Sequence, residues 1–378
     1  MASAAFGGVC VLLFLVNAAT MDGLDPALAA GPGGPLVSTI VPARDEERGI
    51  EAAVRSHLAQ DYANAEVIVV DDRSTDATGA ILAALARENP RLTVVSGVEP
   101  PEGWLGKPHA LHEGATRARG ELLLFADADV RFAPAAVSEA VGLLEARRLD
   151  LVALFPRLEL EGFWENVLMA YLPVSYFFGP AFLLNSDAQR RFAAGAGAGM
   201  LVRARAYRAA GGHEALRASM IDDLHLATRV RRAGGRCRMV RADERLRLRM
   251  YRGFREVFDG FTKNMAYVFE GWAGAALALT TLFSFVAWSL PAIVLVAAAA
   301  GAGIAPRDVV WAAVAVGATL LGRAAIARFL AYPVWPALTH PFMAVVWIAI
   351  TARSLAWRFL HREVRWRGRR YPAAMARF

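Results

Sequence analysis

Between residues 36 and 130 short apolar runs alternate with helical stretches, and three of the runs deliver acidic side chains at their far ends. Residues 37–41, 66–70, 92–96 and 122–126 have the β-branched, apolar character of buried strands, whereas 46–59, 78–88 and 108–119 carry helical spacing. Strand and helix in that rhythm predict an α/β fold, a mostly parallel sheet with helices on both faces. Open sheets of this kind bind ligands at the carboxyl ends of their strands. Asp45 and Glu46 follow the first run, Asp71 and Asp72 the second, and Asp127 and Asp129 the run at 122–126. One acid after a strand is ordinary loop chemistry; three groups placed alike predict a convergent acidic rim.

The rest of the chain reads differently. Of 378 residues 56% are hydrophobic, and the mean hydropathy of +0.34 excludes disordered, collagen-like and disulfide-scaffold classes. Residues 2–19 are uncharged and almost wholly apolar, and no Lys or Arg precedes Arg44, so 1–20 is expected to be an uncleaved membrane anchor; Ala27-Leu28-Ala29-Ala30, which resembles a cleavage site, keeps a signal peptide as the alternative. Gly31-Pro32-Gly33-Gly34-Pro35 closes a linker at 21–35, and a central domain is expected over 36–265. Within it, 163–184 is apolar but carries Glu165, Pro173 and Pro180, which predicts an interfacial or buried helix pair. No charge occurs between Glu270 and Arg307; 309–321 is apolar and followed by Arg323 and Arg328; 334–352 is apolar apart from His340. Two or three transmembrane helices are therefore expected within 270–358. The tail at 359–378 holds Arg362, Arg365, Arg367, Arg369, Arg370 and Arg377 against Glu363, and the positive-inside rule places it in the cytoplasm. With the central domain on the same side, the crossings between them should be even in number, in a multi-pass protein of the cell membrane.

Several classes are disfavoured by what the residues lack. Cys10 and Cys237 are too few for a disulfide framework or a cysteine metal site. The formal charge is +7, yet 40 of the 42 basic residues are Arg, and the Arg-rich segments adjoin apolar helices rather than interleaved stacking aromatics, which argues against nucleic acid as a partner. His57, His109, His112, His213 and His225 show no metal-ligand spacing, and no Ser-His-Asp or Gly-x-Ser-x-Gly arrangement supports a hydrolase.

In the Asp127-Ala128-Asp129 unit both carboxylates project the same way from extended backbone, so they can share one hard cation and the phosphates it neutralises. An apolar run likewise delivers Asp71 and Asp72 into the turn Arg73-Ser74-Thr75-Asp76 ahead of a helix, where Asp71 and Asp76 also suit N-capping. Together with the run from Ser38 to Glu47 and the segment Ile221-Asp222-Asp223-Leu224-His225-Leu226, these motifs resemble glycosyltransferase family 2, the inverting nucleotide-sugar-dependent enzymes of GT-A fold. The likeness covers about residues 36–263, and the flanking apolar helices resemble the membrane-bound members that glycosylate lipids. Gly211-Gly212-His213, residues 249–264 and the run from Trp366 to Tyr371 are similar to bacterial carotenoid- and hopanoid-associated glycosyltransferases.

The resemblance implies an enzyme that moves a hexose from a nucleotide-sugar donor, a UDP-sugar by preference, to a hydroxyl or carboxyl of a hydrophobic lipid acceptor. It implies that Asp72, Pro42, Ala43 and Glu46 hold the base, that Lys107 meets the nucleotide or its diphosphate, that Asp127 lies near the ribose and metal, and that Asp129 coordinates Mn2+ or Mg2+. Inversion needs one base for the acceptor proton. Asp223 takes that role, with Asp222 in the first acidic position of the same motif. Gly197, Gly199 and Met200 would floor the sugar or acceptor pocket, and Arg252 and Arg255 would stand where related processive and ceramide enzymes carry a Gln/Arg-x-x-Arg-Trp motif. Glu256 replaces the Trp of that motif, which counts against a polymer synthase. A ceramide-type or polyprenyl-phosphate glycosyltransferase is the neighbouring alternative, and a catalytically silent nucleotide-sugar-binding membrane protein the alternative from another class.

Overall fold

The computed structural model describes residues 1–265, 282–361, 363–366 and 369–372. They fall into two units: an α/β unit of Met21–Glu159 with Leu183–Met250, and a helical unit of Met1–Thr20, Leu160–Phe182 and the described residues from Tyr251 onward.

In the α/β unit the apolar runs become strands: β1 (Val37–Ala43), β2 (Ala65–Asp71), β3 (Leu92–Ser96), β4 (Leu122–Phe125), β5 (Val130–Phe132), β6 (Leu151–Leu158), β7 (Met200–Arg203) and β8 (Cys237–Leu248). One sheet of order β3-β2-β1-β4-β7-β6-β8-β5 contains them all. The β3, β2, β1 and β4 neighbours are parallel, as is β6 with β8, whereas β7 runs antiparallel to β4 and β6, and β5 antiparallel to β8. The sheet is thus mixed in its second half, because apolar patterning reports that a strand is buried and carries no information on its direction. Val37, Ile40, Val41, Val69 and Val70 are fully buried between the layers.

Helices α2 (Ile50–Leu58), α3 (Thr78–Glu88) and α4 (Gly106–Arg117) connect the parallel strands, followed later by α5 (Ala136–Ala146), α9 (Ala204–Ala209) and α10 (Asp222–Arg232). Helix α2 begins four residues later than its spacing predicts, since Asp45 takes a left-handed φ of 52° and Glu46 donates its N–H to Thr78 Oγ1 instead of entering the helix. Helix α4 begins two residues earlier, which puts Lys107 in its first turn. Gly114 lets α4 approach the sheet: a Cβ there would lie 2.5 Å from Ile40 Cγ2. At the opposite ends of the strands Glu66 is buried and accepts from Ser38 Oγ (2.7 Å), Arg119 N (2.9 Å) and Arg119 Nε (2.9 Å). Burial alone would raise the Glu66 pKa, but these bonds hold it below the ordinary value.

In the helical unit, α1 (Ala2–Thr20) packs along the helix Pro306–Phe329, with Gly7 so close that a Cβ would stand 2.9 Å from Ala318 Cβ, the small-residue contact usual between membrane helices. Buried Asn17 donates to the carbonyls of Phe177 (2.9 Å) and Gly179 (2.8 Å) and accepts from Phe182 N (2.7 Å). The helix pair expected at 163–184 is three short helices, α6 (Phe163–Leu168), α7 (Tyr171–Phe177) and α8 (Ala181–Leu184); Pro180, which has no N–H to donate, stands at the last break. Helix α11 (Gly253–Met265) follows.

Among the described residues four helices are long and apolar enough to cross a membrane: Ala2–Thr20, Leu282–Ala299, Pro306–Phe329 and Trp335–His361. Three of these described helices follow the α/β unit in sequence. Residues 270–281 of the expected apolar span, and Arg362, Arg367 and Arg377 of the basic tail, lie outside the described residues. The strands Glu363–Trp366 and Arg369–Pro372 pair antiparallel within that tail.

Candidate active site

The loops after β1 and β2 are built as one lattice. Asp45 and Arg73 both sit at positive φ, 52° and 58°, a conformation costly for residues other than glycine and met where loops are over-determined by their partners. Those partners are present. Asp45 N donates to Ser74 Oγ (3.0 Å), Thr75 N to Asp45 Oδ1 (2.8 Å) and Glu47 N to Asp76 Oδ2 (3.1 Å). Asp76 also accepts from Thr78 N at the start of α3. Asp72 N donates to Ala43 O (2.7 Å), Arg44 Nη1 donates to Asp72 O (2.7 Å), and the buried Asp72 carboxylate lies 3.5 Å from Arg73 Nε. Pro42, Ala43, Glu46 and Asp72 are thereby gathered at the carboxyl ends of β1 and β2, with Pro42 and Glu46 half-buried.

Asp127 and Asp129 follow β4, next to β1 in the sheet. The first turn of α4 brings Lys107 Nζ to 2.7 Å from Asp127 Oδ1 and 3.8 Å from Asp222 Oδ1. Leu105 N donates to Arg217 O (2.7 Å), which fastens the Lys107 turn to the segment ahead of α10. Gly197 completes the link. Its N–H donates to Asp223 Oδ2 (2.8 Å), and its carbonyl accepts from Asp127 N (3.0 Å), so one residue sets the spacing between the acids of β4 and α10. Asp223 Oδ1 accepts from Leu224 N (2.8 Å), in the helix turn whose dipole favours an anion.

Two buried histidines brace this arrangement. His213 Nδ1 shares a 2.9 Å hydrogen bond with Tyr207 Oη, and its ring meets Phe125 of β4 at 4.7 Å between centroids. Ser219 Oγ lies 2.6 Å from His225 Nδ1 and accepts from Ile221 N, shaping the turn into α10. Burial pulls His213 to about 3 and His225 to about 4, so both rings are neutral.

The charges are unevenly matched. Partial desolvation opposes the Lys107 ammonium, whose side chain is still 40% exposed, but Asp127, Asp222 and Asp223 together hold it above its ordinary value. Burial, with Asp222 beside it, raises Asp223, while Lys107 and the two backbone donors pull the other way. Burial and then Asp127 and Glu46 push Asp129 up to about 7. A carboxyl raised by burial and then by like charges is a place where a cation would be welcome, and oxygen-only donors suit Mg2+ or Mn2+. Among the described residues no three metal-ligating side chains converge, so a cation here would draw on Asp127, Asp129 and oxygens brought by a ligand.

Not every predicted residue belongs to this cluster. Gly199 and Met200 are packed within the sheet: a Cβ on Gly199 would press on Leu246, and Met200, 2% exposed, pairs with Phe125 and Ala153. The alternation of β7 turns that segment inward immediately after Gly197. Arg252 and Arg255 are exposed at the start of α11 in the helical unit. What the sequence left unread is the double role of the Gly197 backbone; the run Ala196-Gly197-Ala198-Gly199 signalled close backbone approach without saying to what.

Residues 38–207 match the family model described as Glycosyl transferase family 2. Among curated proteins, the chain is 30% identical over 205 residues to beta-monoglucosyldiacylglycerol synthase of Nostoc sp., covering 52% of this chain and 41% of that protein. It is 26% identical over 274 residues to 4,4'-diaponeurosporenoate glycosyltransferase of Staphylococcus aureus, covering 66% of each. The chain thus spans less than two thirds of these relatives' lengths. Among solved structures it resembles a mannosyltransferase from Pyrobaculum calidifontis in complex with GDP-Man and Mn2+, with a TM-score of 0.60 and 23% identity over 94% of this chain and 97% of the other. That likeness establishes the fold.

Proposed function

We propose that this chain, whose residues 38–207 form a glycosyl transferase family 2 domain, transfers a hexose from a nucleotide-sugar donor to a lipid acceptor with inversion at the anomeric carbon. One observation carries the reading: Lys107, Asp127, Asp222 and Asp223 meet at the carboxyl ends of the parallel strands, with the Gly197 backbone fixing the two arms of the cluster against each other. Ligands of open α/β sheets bind there.

Asp223 is the base. Gly197 N and Leu224 N hold its two oxygens in place, and burial makes it a stronger base than an exposed carboxylate. It takes the proton of the acceptor hydroxyl as that oxygen bonds to the anomeric carbon and the bond from that carbon to the diphosphate oxygen breaks, the electron pair leaving with the nucleoside diphosphate. Asp222, tied to Lys107, holds the neighbouring charge in register. Asp72, with Pro42, Ala43 and Glu46, forms the wall for the nucleotide base. Lys107 presents an ammonium to the diphosphate end of the donor and offsets the acids around it. Asp129 with Asp127 would hold Mn2+ or Mg2+, and such an ion neutralises a departing diphosphate.

The names of the two curated relatives, one with a diacylglycerol and one with a diaponeurosporenoate, support a lipid acceptor, of which a carotenoid or hopanoid-type terpenoid is the class inferred here. Four helices of spanning length among the described residues support a multi-pass membrane protein. UDP-sugars are the donors inferred from the sequence motifs. The test is nucleotide release by the detergent-purified protein from UDP-glucose, UDP-galactose, UDP-GlcNAc and GDP-mannose, with Mn2+ or Mg2+, with and without a lipid extract. Release from one donor that depends on metal and rises with lipid is the expected result. Nucleotide binding without release from any donor would mean a silent binder.

A further inference from the structure

The helix Pro306–Phe329 carries a charge that the transfer reaction does not use. Arg323 is 4% exposed, and its guanidinium donates Nη1 to Ala170 O (3.0 Å) and Nη2 to Pro336 O (3.3 Å). Its Nε has no hydrogen-bond partner, and its described contacts include carbonyls but no carboxylate. Asn166, 6% exposed, spends both amide hydrogens on Leu160 O and Gly162 O (2.9 Å each), leaving Oδ1 buried and unpartnered. Both side chains line one narrow crevice, walled otherwise by apolar groups such as Ala170, Pro173, Ile326 and Pro336. An uncompensated guanidinium and an unused carbonyl oxygen lining one crevice select a ligand with an oxyanion and a hydroxyl donor.

The surroundings indicate where such a ligand comes from. Arg323 lies six residues before the end of its helix, roughly 9 Å along the axis. Trp335, next to Pro336 at the crevice, is 45% exposed and stacks on Phe163, 55% exposed, at 5.6 Å between centroids. Trp164 and the exposed Phe342 continue the aromatic cluster at 6.1 Å. An exposed Trp beside the end of an apolar helix marks the depth of lipid headgroups. A charged residue kept inside such a helix is by default a functional position.

We propose that this crevice is a headgroup site for an anionic phospholipid: Arg323 takes a phosphodiester oxygen, Asn166 Oδ1 accepts a hydroxyl of the headgroup, and the Phe163–Trp335 pair lies against the glycerol and the first acyl carbons. The crevice admits the oxygen-bearing tip, and the chains stay in the membrane. The inference rests only on contacts within the helical unit, and it stands or falls separately from the transferase reading because its readout is binding.

The experiment is native mass spectrometry of the full-length protein in detergent, titrated with dioleoylphosphatidylglycerol, dioleoylphosphatidylmethanol (the same phosphodiester without the hydroxyls) and dioleoylphosphatidylcholine, with inorganic phosphate as competitor. One phosphatidylglycerol per chain should be retained in preference to phosphatidylmethanol and phosphatidylcholine, with no displacement by phosphate. Arg323→Gln should lower retention at least about tenfold, as expected for loss of a charge-assisted bond in a buried site. Asn166→Ala, which leaves the guanidinium in place, should bind phosphatidylglycerol and phosphatidylmethanol alike, and it keeps the proposal testable should Arg323→Gln not fold. Equal retention by wild type and Arg323→Gln, an undiminished preference in Asn166→Ala, or displacement by inorganic phosphate would each overturn the proposal.

Discussion

Gly197→Ala isolates the residue that spaces the acids. A Cβ at this position would lie 2.7 Å from Asp127 Oδ2 and 3.4 Å from its Cγ. Non-bonded heavy atoms settle near 3.5 Å, so the oxygen must retreat by roughly 0.5–0.8 Å. The colliding atom is the far end of a side chain, and rotation of the carboxylate can relieve the contact without moving backbone. The domain should therefore fold, at a cost of about 1 kcal/mol, the low end for overpacking. The rotation is not free for the reaction, since Asp127 Oδ1 on the same carboxylate holds Lys107 at 2.7 Å. A displacement approaching 1 Å at a positioning group costs about 10²-fold in rate, so a loss of about 10- to 100-fold in kcat is expected. Gly195→Ala is the contrast: its Cβ would fall on the backbone carbonyl of Asp223, forcing the start of α10 to move. That variant should lose about 3 kcal/mol of stability or more. Turnover with the preferred donor, nucleotide binding and thermal unfolding in detergent separate the two. Wild-type turnover in Gly197→Ala, or an unfolding shift as large as that of Gly195→Ala, would refute the reasoning.

Other substitutions test neighbouring parts. Asp223→Asn should cut turnover by about 10²–10⁴-fold while leaving nucleotide binding nearly intact; near-normal turnover would remove Asp223 as the base. Because the base acts deprotonated, activity should rise with pH through an acid limb, and burial together with Asp222 places that limb above the ordinary aspartate value of about 3.9. Lys107→Met takes away a cation that favours the carboxylate, so the limb should move to still higher pH; a profile of residual activity that shifts down contradicts the assignment. Asp129→Ala should abolish metal-dependent nucleotide binding, as chelation should in the wild type, and undiminished binding would count against its metal role. Arg245→Ala probes stability alone. Glu139 is 1% exposed and accepts from Arg245 Nε through both oxygens at 2.9 Å, so removing the guanidinium strands a buried carboxylate and should cost about 3 kcal/mol in denaturant unfolding.

The fold was largely legible because buried parallel strands write themselves as β-branched runs, and α3 occupies the residues its spacing marked. What spacing cannot encode is a contact between distant backbone groups. The late start of α2 depends on Asp45 bonding across to Ser74 and Thr75, and the antiparallel course of β7 on its pairing with β4 and β6. In the candidate site, the acids were visible as strand-end clusters, yet their mutual spacing comes from Gly197, some seventy residues after Asp127. Lys107 was legible as one of only two lysines, while its pairing with Asp127 and Asp222 required the fold.

Arg323 and Arg328 look alike in sequence, two arginines that end an apolar run, and the fold separates them. Five residues at 100° apiece turn the helix by 500°, so the two side chains emerge about 140° apart. Arg328 is exposed in the last turn of its helix, where a long cationic side chain faces the negative end of the helix dipole. Arg323 is turned inward onto Ala170 and Pro336. Arg328→Gln therefore serves as the charge-matched control: it removes the same formal charge from the same helix but leaves the crevice untouched. Its retention of phosphatidylglycerol in native mass spectrometry should equal that of wild type. Should Arg328→Gln lose the lipid as Arg323→Gln does, retention would reflect general attraction of anionic lipid to a basic helix end, and the inward turn of Arg323 would be only a clamp on two carbonyls.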